Sequence, residues 1–405
     1  MPSSRHILVI NTSAYGEVLP TLDVVAELVR REHRVTYVTA GGPAAAVAAT
    51  GATVLEYPTR LPEVDLSTLD TPEGAPWVPI VTLRESEEIL RAVLGAYGGE
   101  RPDLILYDAT VYHAGRILCR KWGVPGVMSC PFLVSNERFS LLEHMVELAG
   151  VRHPRNHPGL VRFHRALVDL LVAHGQSDVA LAEFAATPAE LHLAYHPRSF
   201  QHRGETFDDR WVFIGPATER RLAEPVWQPP GDGRPIVVVS LGTSHHRRGG
   251  FFRTCLDAFA DQPWHVVLAV YDEVAAAELS PVPPNVELHR WLPMFSVLEH
   301  ADVFVCHGGM GSVMTAMYRA TPVVAVPRSP ESMANARRVD RLGLGRELNA
   351  DRLTTAQLCQ TVREVAADED IHERVRQMRR ELIAAGGGRR GADAIESYMD
   401  REDLA

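Results

Sequence analysis

The sequence has no uninterrupted apolar stretch near the ~20 residues that a membrane-spanning helix needs. Its start, MPSSRHILVIN, runs into an apolar segment of strand length rather than a signal-peptide core, so the expectation is a cytoplasmic protein. Cysteine is scarce and unpatterned. Cys119, Cys130, Cys255, Cys306 and Cys359 show no C-x-x-C spacing, which excludes a zinc ribbon and points to buried free thiols. Positive charge is also short. A formal net charge of −10 argues against a nucleic-acid binder that tracks phosphates and against an anionic membrane surface. Any anionic ligand therefore has to be held by a local site. No carboxylate cluster suggests a metal, and the first loop lacks the G-x-G-x-x-G of a dinucleotide dehydrogenase.

What is present is a globular composition, 46% hydrophobic and 23% charged, spread over 405 residues. That length exceeds what one core usually supports, so two domains of about 200 residues each are expected. Residues 6–11 (HILVIN), a loop, the periodic TLDVVAELVRR and 34–39 (RVTYVT) form a βαβ unit. The order repeats through PAAAVAATG, TVLEY, RESEEILRAVLGAYG, DLILYD at 103–108, VYHAGRILCRKW and VPGVMSC. Strands alternating with helical segments imply a parallel sheet covered on both faces.

Between Tyr57 and Val81 this pattern lapses into a proline-rich, acidic stretch, read as a long functional loop over 58–80. Residues 139–185 turn helical and are read as an insertion on the first domain. The proline, glycine and charge of 215–235 mark a boundary. A second series, from PIVVVSLGT to GLGREL, then repeats the plan. The expected organisation is a first Rossmann-like domain at 1–216, a linker at 217–234, a second Rossmann-like domain at 235–385 and a helical tail at 386–405. Two doubly wound α/β domains are expected to set their strand C-terminal ends on either side of one cleft.

The stretch 306–327, CHGGMGSVMTAMYRATPVVAVP, carries the most chemistry. A strand ends at Cys306, His307, Gly308 and Gly309 turn, and Gly311 and Ser312 open a helix whose N–H groups and positive dipole end suit a phosphate. Taken alone, such a turn is equally compatible with a plain strand-to-helix connection. Upstream, Trp291 follows a strand and offers a stacking face for a base, or a purely structural indole. Downstream, Glu331 begins the next helix, placed to accept from sugar hydroxyls or to complement the helix dipole.

The run from Arg290 to Gly345, together with SLGT at 240–243 and SFQ…ETFDDRWVFIGP at 199–216, resembles the GT-B natural-product glycosyltransferases of the actinobacterial macrolide and enediyne type, which also take in plant secondary-metabolite enzymes. The resemblance extends through nearly the whole chain. It implies an inverting, metal-independent sugar transfer from a nucleotide-sugar substrate to a small-molecule acceptor, with no cofactor and with a homodimer left open. Trp291 would stack on the pyrimidine and Leu292 would bond the base through its backbone. His307, Gly309, Gly311, Ser312 and Thr243 would hold the diphosphate, and Glu331 the sugar. Where many relatives have Gln after this acid, the chain has Ser332, which suits a donor with fewer or modified hydroxyls and favours a dTDP-deoxysugar over UDP-glucose, with the substrate a dTDP-sugar or a UDP-sugar.

The acceptor side departs from the family. Relatives carry a His-Gly-His-x-x-Pro-like loop whose first His is the general base, oriented by an Asp; here Tyr15 replaces that His while Asp108 is retained. Tyrosine titrates near pH 10, so about one part in a thousand is ionised at neutral pH. Gly16-Glu17-Val18-Leu19-Pro20 matches the Gly-Asp-x-x-Pro loop of glycopeptide-type relatives, which makes Glu17 the candidate base, with a solvated loop glutamate as the other reading. The missing His also admits a catalytically impaired homologue that serves as an auxiliary protein. A sugar-nucleotide epimerase would need more acids around the donor than Glu331.

Overall fold

A computed structural model of the chain describes residues 4–64, 66–69, 71, 73–152, 156–186, 189–218, 225–242, 249–271 and 279–402. It separates into two compact units: Met1–Ser140, Val151–Glu219 and Ala385–Ala405 form the first, Leu141–Gly150 and Arg220–Ala384 the second.

The first unit is built on seven strands, β1 (His6–Ile10), β2 (Arg34–Thr39), β3 (Thr53–Glu56), β4 (Leu104–Asp108), β5 (Gly126–Cys130), β6 (Leu191–Ala194) and β7 (Trp211–Phe213), in the order β3-β2-β1-β4-β5-β6-β7. All neighbours are parallel. β1 is buried at every position, Ile7 and Val9 in one core and Leu8 and Ile10 in the other, which is why it reads as a continuous apolar run. The strand order reverses between β1 and β4. In open α/β sheets that is where ligands bind, at the strand C-terminal ends, so the turn after Ile10 and the turn after Asp108 flank the first unit's natural site.

The helix Gly387–Glu402 returns to this unit after Gly386 and Gly387, both at positive φ. Its Ala392, Ile395, Tyr398 and Met399 join the core that holds Ile7 and Val9. The segment at 386–402 is thus a structural part of the first unit. Ile395→Ala is expected to cost ~2–5 kcal/mol, read as a lower denaturation midpoint; a midpoint within error of the parent would contradict this packing.

The second unit holds β8 (Ile236–Ser240), β9 (His265–Ala269), β10 (Val286–His289), β11 (Val303–Cys306), β12 (Val323–Ala325) and β13 (Gly345–Glu347), parallel and ordered β10-β9-β8-β11-β12-β13. It is the same doubly wound plan, with its switch point between β8 and β11.

Two features differ from the sequence reading. The segment 58–80 is not one long loop: it contains short helical turns at Leu61–Glu63, Leu66–Leu69 and Ala75–Trp77, and the next helix starts at Val78. Proline is tolerated in a first helical turn, where its missing N–H has no partner to lose, so Pro79 opens that helix rather than ending a loop. The helix Leu141–Ala149 belongs to the second unit, not to an insertion on the first. In agreement with that reading, all five cysteines are free; Cys130, Cys255 and Cys306 are buried, Cys119 and Cys359 half-buried.

Candidate active site

In the second unit the two turns at the switch point meet around His307. Gly242, after β8, adopts φ 69°, and Gly308, after β11, φ 82°. A Cβ on Gly242 would stand 2.8 Å from Cε1 of His307, and one on Gly309 would collide with Nε2. The imidazole is seated only because both neighbours lack side chains. Gly309 then caps the helix Met310–Arg319 without any side-chain hydrogen bond. Open space surrounds the Cα of Gly311, and Ser312 beside it is half-buried. The helix thus presents uncapped N–H groups and its positive dipole end next to an imidazole, an arrangement that suits a diphosphate.

Trp291 follows β10 with 57% of its surface exposed, while Leu292 beside it is buried and anchors the turn. An exposed indole next to a buried anchor offers a stacking surface. Glu331 is exposed in the first turn of the helix Pro330–Arg341. Ser332, expected beside a sugar, is 3% exposed and engaged in a capping box: its hydroxyl accepts from Ser329 N–H at 3.0 Å, and its own N–H donates to the Ser329 hydroxyl at 3.2 Å. Thr243 lies outside the described residues.

In the first unit, Asp108 ends β4 with no solvent exposure. Its Oδ1 accepts from Thr110 N–H at 2.8 Å and from the Thr110 hydroxyl at 2.5 Å. Its Oδ2 is buried without a hydrogen-bond partner. Burial raises the carboxyl to about 7, outweighing the Thr110 hydrogen bonds that lower it. Tyr15 does not fill the gap. Its side chain is 41% exposed and lies over Gly42, where a Cβ would be 2.5 Å from the phenolic oxygen.

Glu17 sits, half-buried, in the short helix Tyr15–Val18. Asn11 Nδ2 donates to the Glu17 carbonyl and to the Tyr37 hydroxyl, both at 3.0 Å, and the Tyr37 and Thr21 hydroxyls are 2.8 Å apart. Burial pushes Tyr37 well above its ordinary pKa, against the hydrogen bonds with Thr21 and Asn11 that lower it, and the charges of Asp108 and Glu17 add to the rise. Asn11, Thr21 and Tyr37 escape a sequence reading because their side chains meet only once β1 and β2 pair.

Among the described residues no group of three or more His, Cys, Asp or Glu is placed to hold a metal ion. No helix among them is long and apolar enough to cross a membrane.

Comparison with known proteins matches residues 253–388 to the family described as erythromycin biosynthesis protein CIII-like, C-terminal domain. The chain is 35% identical to demethyllactenocin mycarosyltransferase of Streptomyces fradiae, over 97% of its own length and 86% of that protein's. It is 34% identical to oleandomycin glycosyltransferase of Streptomyces antibioticus, over 97% and 91% of the two chains. Among solved structures, CalG4, the calicheamicin glycosyltransferase, superimposes with a TM-score of 0.84 at 39% identity, over 98% and 99% of the two chains.

Proposed function

The chain belongs to the GT-B glycosyltransferases of natural-product biosynthesis, and from that premise we propose that it transfers a deoxysugar from a dTDP-sugar to a small acceptor with inversion at the anomeric carbon. The observation that carries the donor assignment is the seat of His307 between Gly242 and Gly309 at the start of an uncapped helix. As the acceptor attacks, the bond from the anomeric carbon to the diphosphate breaks and negative charge grows on the leaving oxygen. The helix N-terminus and His307 would meet that charge where it develops. Thr243, the last residue of SLGT, would touch the diphosphate, Trp291 would stack on the base, and Leu292 would bond it through the backbone.

The preference for a deoxysugar rests on the turn at 329–332. With the Ser332 hydroxyl committed to its own helix cap, Glu331 is the acid this turn presents outward. A donor with fewer hydroxyls leaves less unpaired there. Glu17 is assigned as the base, Asp108 and Tyr15 as its surroundings on the acceptor side.

Calorimetric titration with dTDP, UDP and GDP tests the donor half. dTDP is expected to bind most tightly, and Trp291→Ala to lose ~1–3 kcal/mol of that affinity. Unchanged affinity in the variant would remove Trp291 from the base site. Because Tyr15 leaves Asp108 without the histidine of the family, an auxiliary protein without turnover is the second reading. Donor consumed only in the presence of acceptor decides for transfer.

A further inference from the structure

We propose that Glu85 is a positioning residue for the acceptor loop, acting through Thr59 and Ser13 on the turn that carries Tyr15 and Glu17. The inference rests on the reading of that turn as the acceptor side of a glycosyltransferase.

Glu85 lies within the helix Val78–Tyr97 and is 1% exposed. Its partners all come from the chain just after β3. Oε2 accepts from the Tyr57 and Thr59 hydroxyls, each at 2.8 Å, and Oε1 accepts from Arg60 N–H at 2.7 Å. Three donors converge on the two oxygens of one buried side chain. From the next turn of the same helix, buried Glu88 pairs with the Arg60 side chain at 3.2 Å.

The link to the acceptor loop follows from proton counting. Thr59 has one hydroxyl proton and gives it to Glu85, while its oxygen accepts from Leu61 N–H at 3.3 Å. In the 3.0 Å contact between the Ser13 and Thr59 hydroxyls, Ser13 must therefore donate. A directed chain runs from Ser13 to Thr59 to Glu85, and Ser13 stands two residues before Tyr15. Thr12 next to it is tied to β2, its carbonyl accepting from the Thr39 hydroxyl at 2.7 Å. The turn is thus held at adjacent residues, to a strand on one side and through Thr59 to Glu85 on the other.

A buried carboxylate is a costly way to stitch a loop if stability alone is served, because well-packed apolar residues do that at least as well. What the carboxylate adds is direction: it orients three donors and fixes which way the Ser13 proton points. Catalysis is sensitive to such placement, since a misplacement of about 1 Å costs on the order of 10²-fold in rate.

The test uses the full chain. Glu85→Gln keeps the volume but turns one acceptor into a donor facing donors, and Thr59→Val cuts the chain while leaving Glu85 in place. Both are expected to lower acceptor kcat/KM by ~10–100-fold, to leave dTDP affinity unchanged, and to speed hydrogen exchange over residues 12–17. Thr59→Ser restores the hydroxyl and should restore the rate. Glu85→Gln combined with Ser13→Ala should lose no more than the worse single variant, as expected of residues acting in one chain. Thr59→Val and Ser13→Ala with parental kcat/KM and parental exchange would overturn the proposal, as would multiplicative losses in the double variant. Should the parent turn over no acceptor at all, the transfer reading fails, and exchange over 12–17 in Thr59→Val still decides whether Glu85 holds the turn.

Discussion

Glu17→Gln is expected to lower kcat by ~10²–10⁴-fold, the usual contribution of a positioned general base, with dTDP affinity unchanged because the residues proposed to bind the donor lie in the other unit. The expectation starts from Tyr15, proposed to stand in the family's base position, whose phenol lies over Gly42. It leaves Asp108 Oδ2 buried and unpartnered. A buried carboxyl at about 7 is half protonated at neutral pH, so any part of kcat that depends on ionised Asp108 rises through pH 7 and disappears in Asp108→Asn. An acceptor that is already acidic, such as a phenol, thiol or hydroxamate, reduces the loss in Glu17→Gln. Tyr15→His then separates the alternatives: a gain towards alcohol acceptors means that the dyad lacks only its histidine, and no gain means that the pocket is built around another nucleophile. Parental turnover with the native acceptor in both Glu17→Gln and Asp108→Asn would remove the base assignment altogether.

Stability of the first unit is expected to fall below pH 6.5, with His113 and His192 driving the loss and Asp108 offsetting part of it. His113 is buried, its ring 5.6 Å from that of Phe163, and burial lowers it to about 3. His192 lies in β6 with its ring stacked on Trp211 at 3.8 Å, and burial lowers it to about 4. A histidine depressed in the folded state contributes stability above the unfolded value of 6.5, and that stability is lost as pH falls through the folded value. For His113 the loss between pH 6.5 and 3 is about 4 kcal/mol, and for His192 somewhat less, down to pH 4. Asp108 has the opposite sign: raised from 3.8 to about 7, it favours the folded state at low pH and opposes it as pH rises through that window. His113→Phe keeps the ring and removes the proton site, so denaturation midpoints measured from pH 7 to 4 should fall less in the variant. Parallel midpoint curves for the two proteins would show that His113 is not the acid-sensitive group.

Much of the fold was legible because its signals are local. β2 was read at 34–39 and stands at Arg34–Thr39, and the strand at 103–108 stands at Leu104–Asp108, each a β-rich run between helical periods. β6 and β7 leave no such signal in the sequence. The four residues of β6 include His192, and β7 has three residues, so neither offers enough length or alternation to stand out. A periodic pattern also shows that a helix has an apolar face without showing what that face meets. The helix Leu141–Ala149 was accordingly attached to the wrong neighbours in sequence terms, and it packs with the second unit.

The site divides along the same line. By itself the sequence determined the residues contiguous with a strand end, including the glycine turn at 307–311, Trp291, Glu331 and the Tyr15 to Pro20 loop, because backbone conformation and helix termini depend on a few consecutive residues. Only the tertiary structure decided the condition of those groups. Ser332 is spent on its own cap, Asp108 is desolvated and short of a partner, and Ser13 reaches Glu85 through Thr59, 46 residues along the chain. Desolvation and hydrogen-bond direction are properties of everything packed around an atom, and those neighbours come from strands and helices that the chain brings together only on folding.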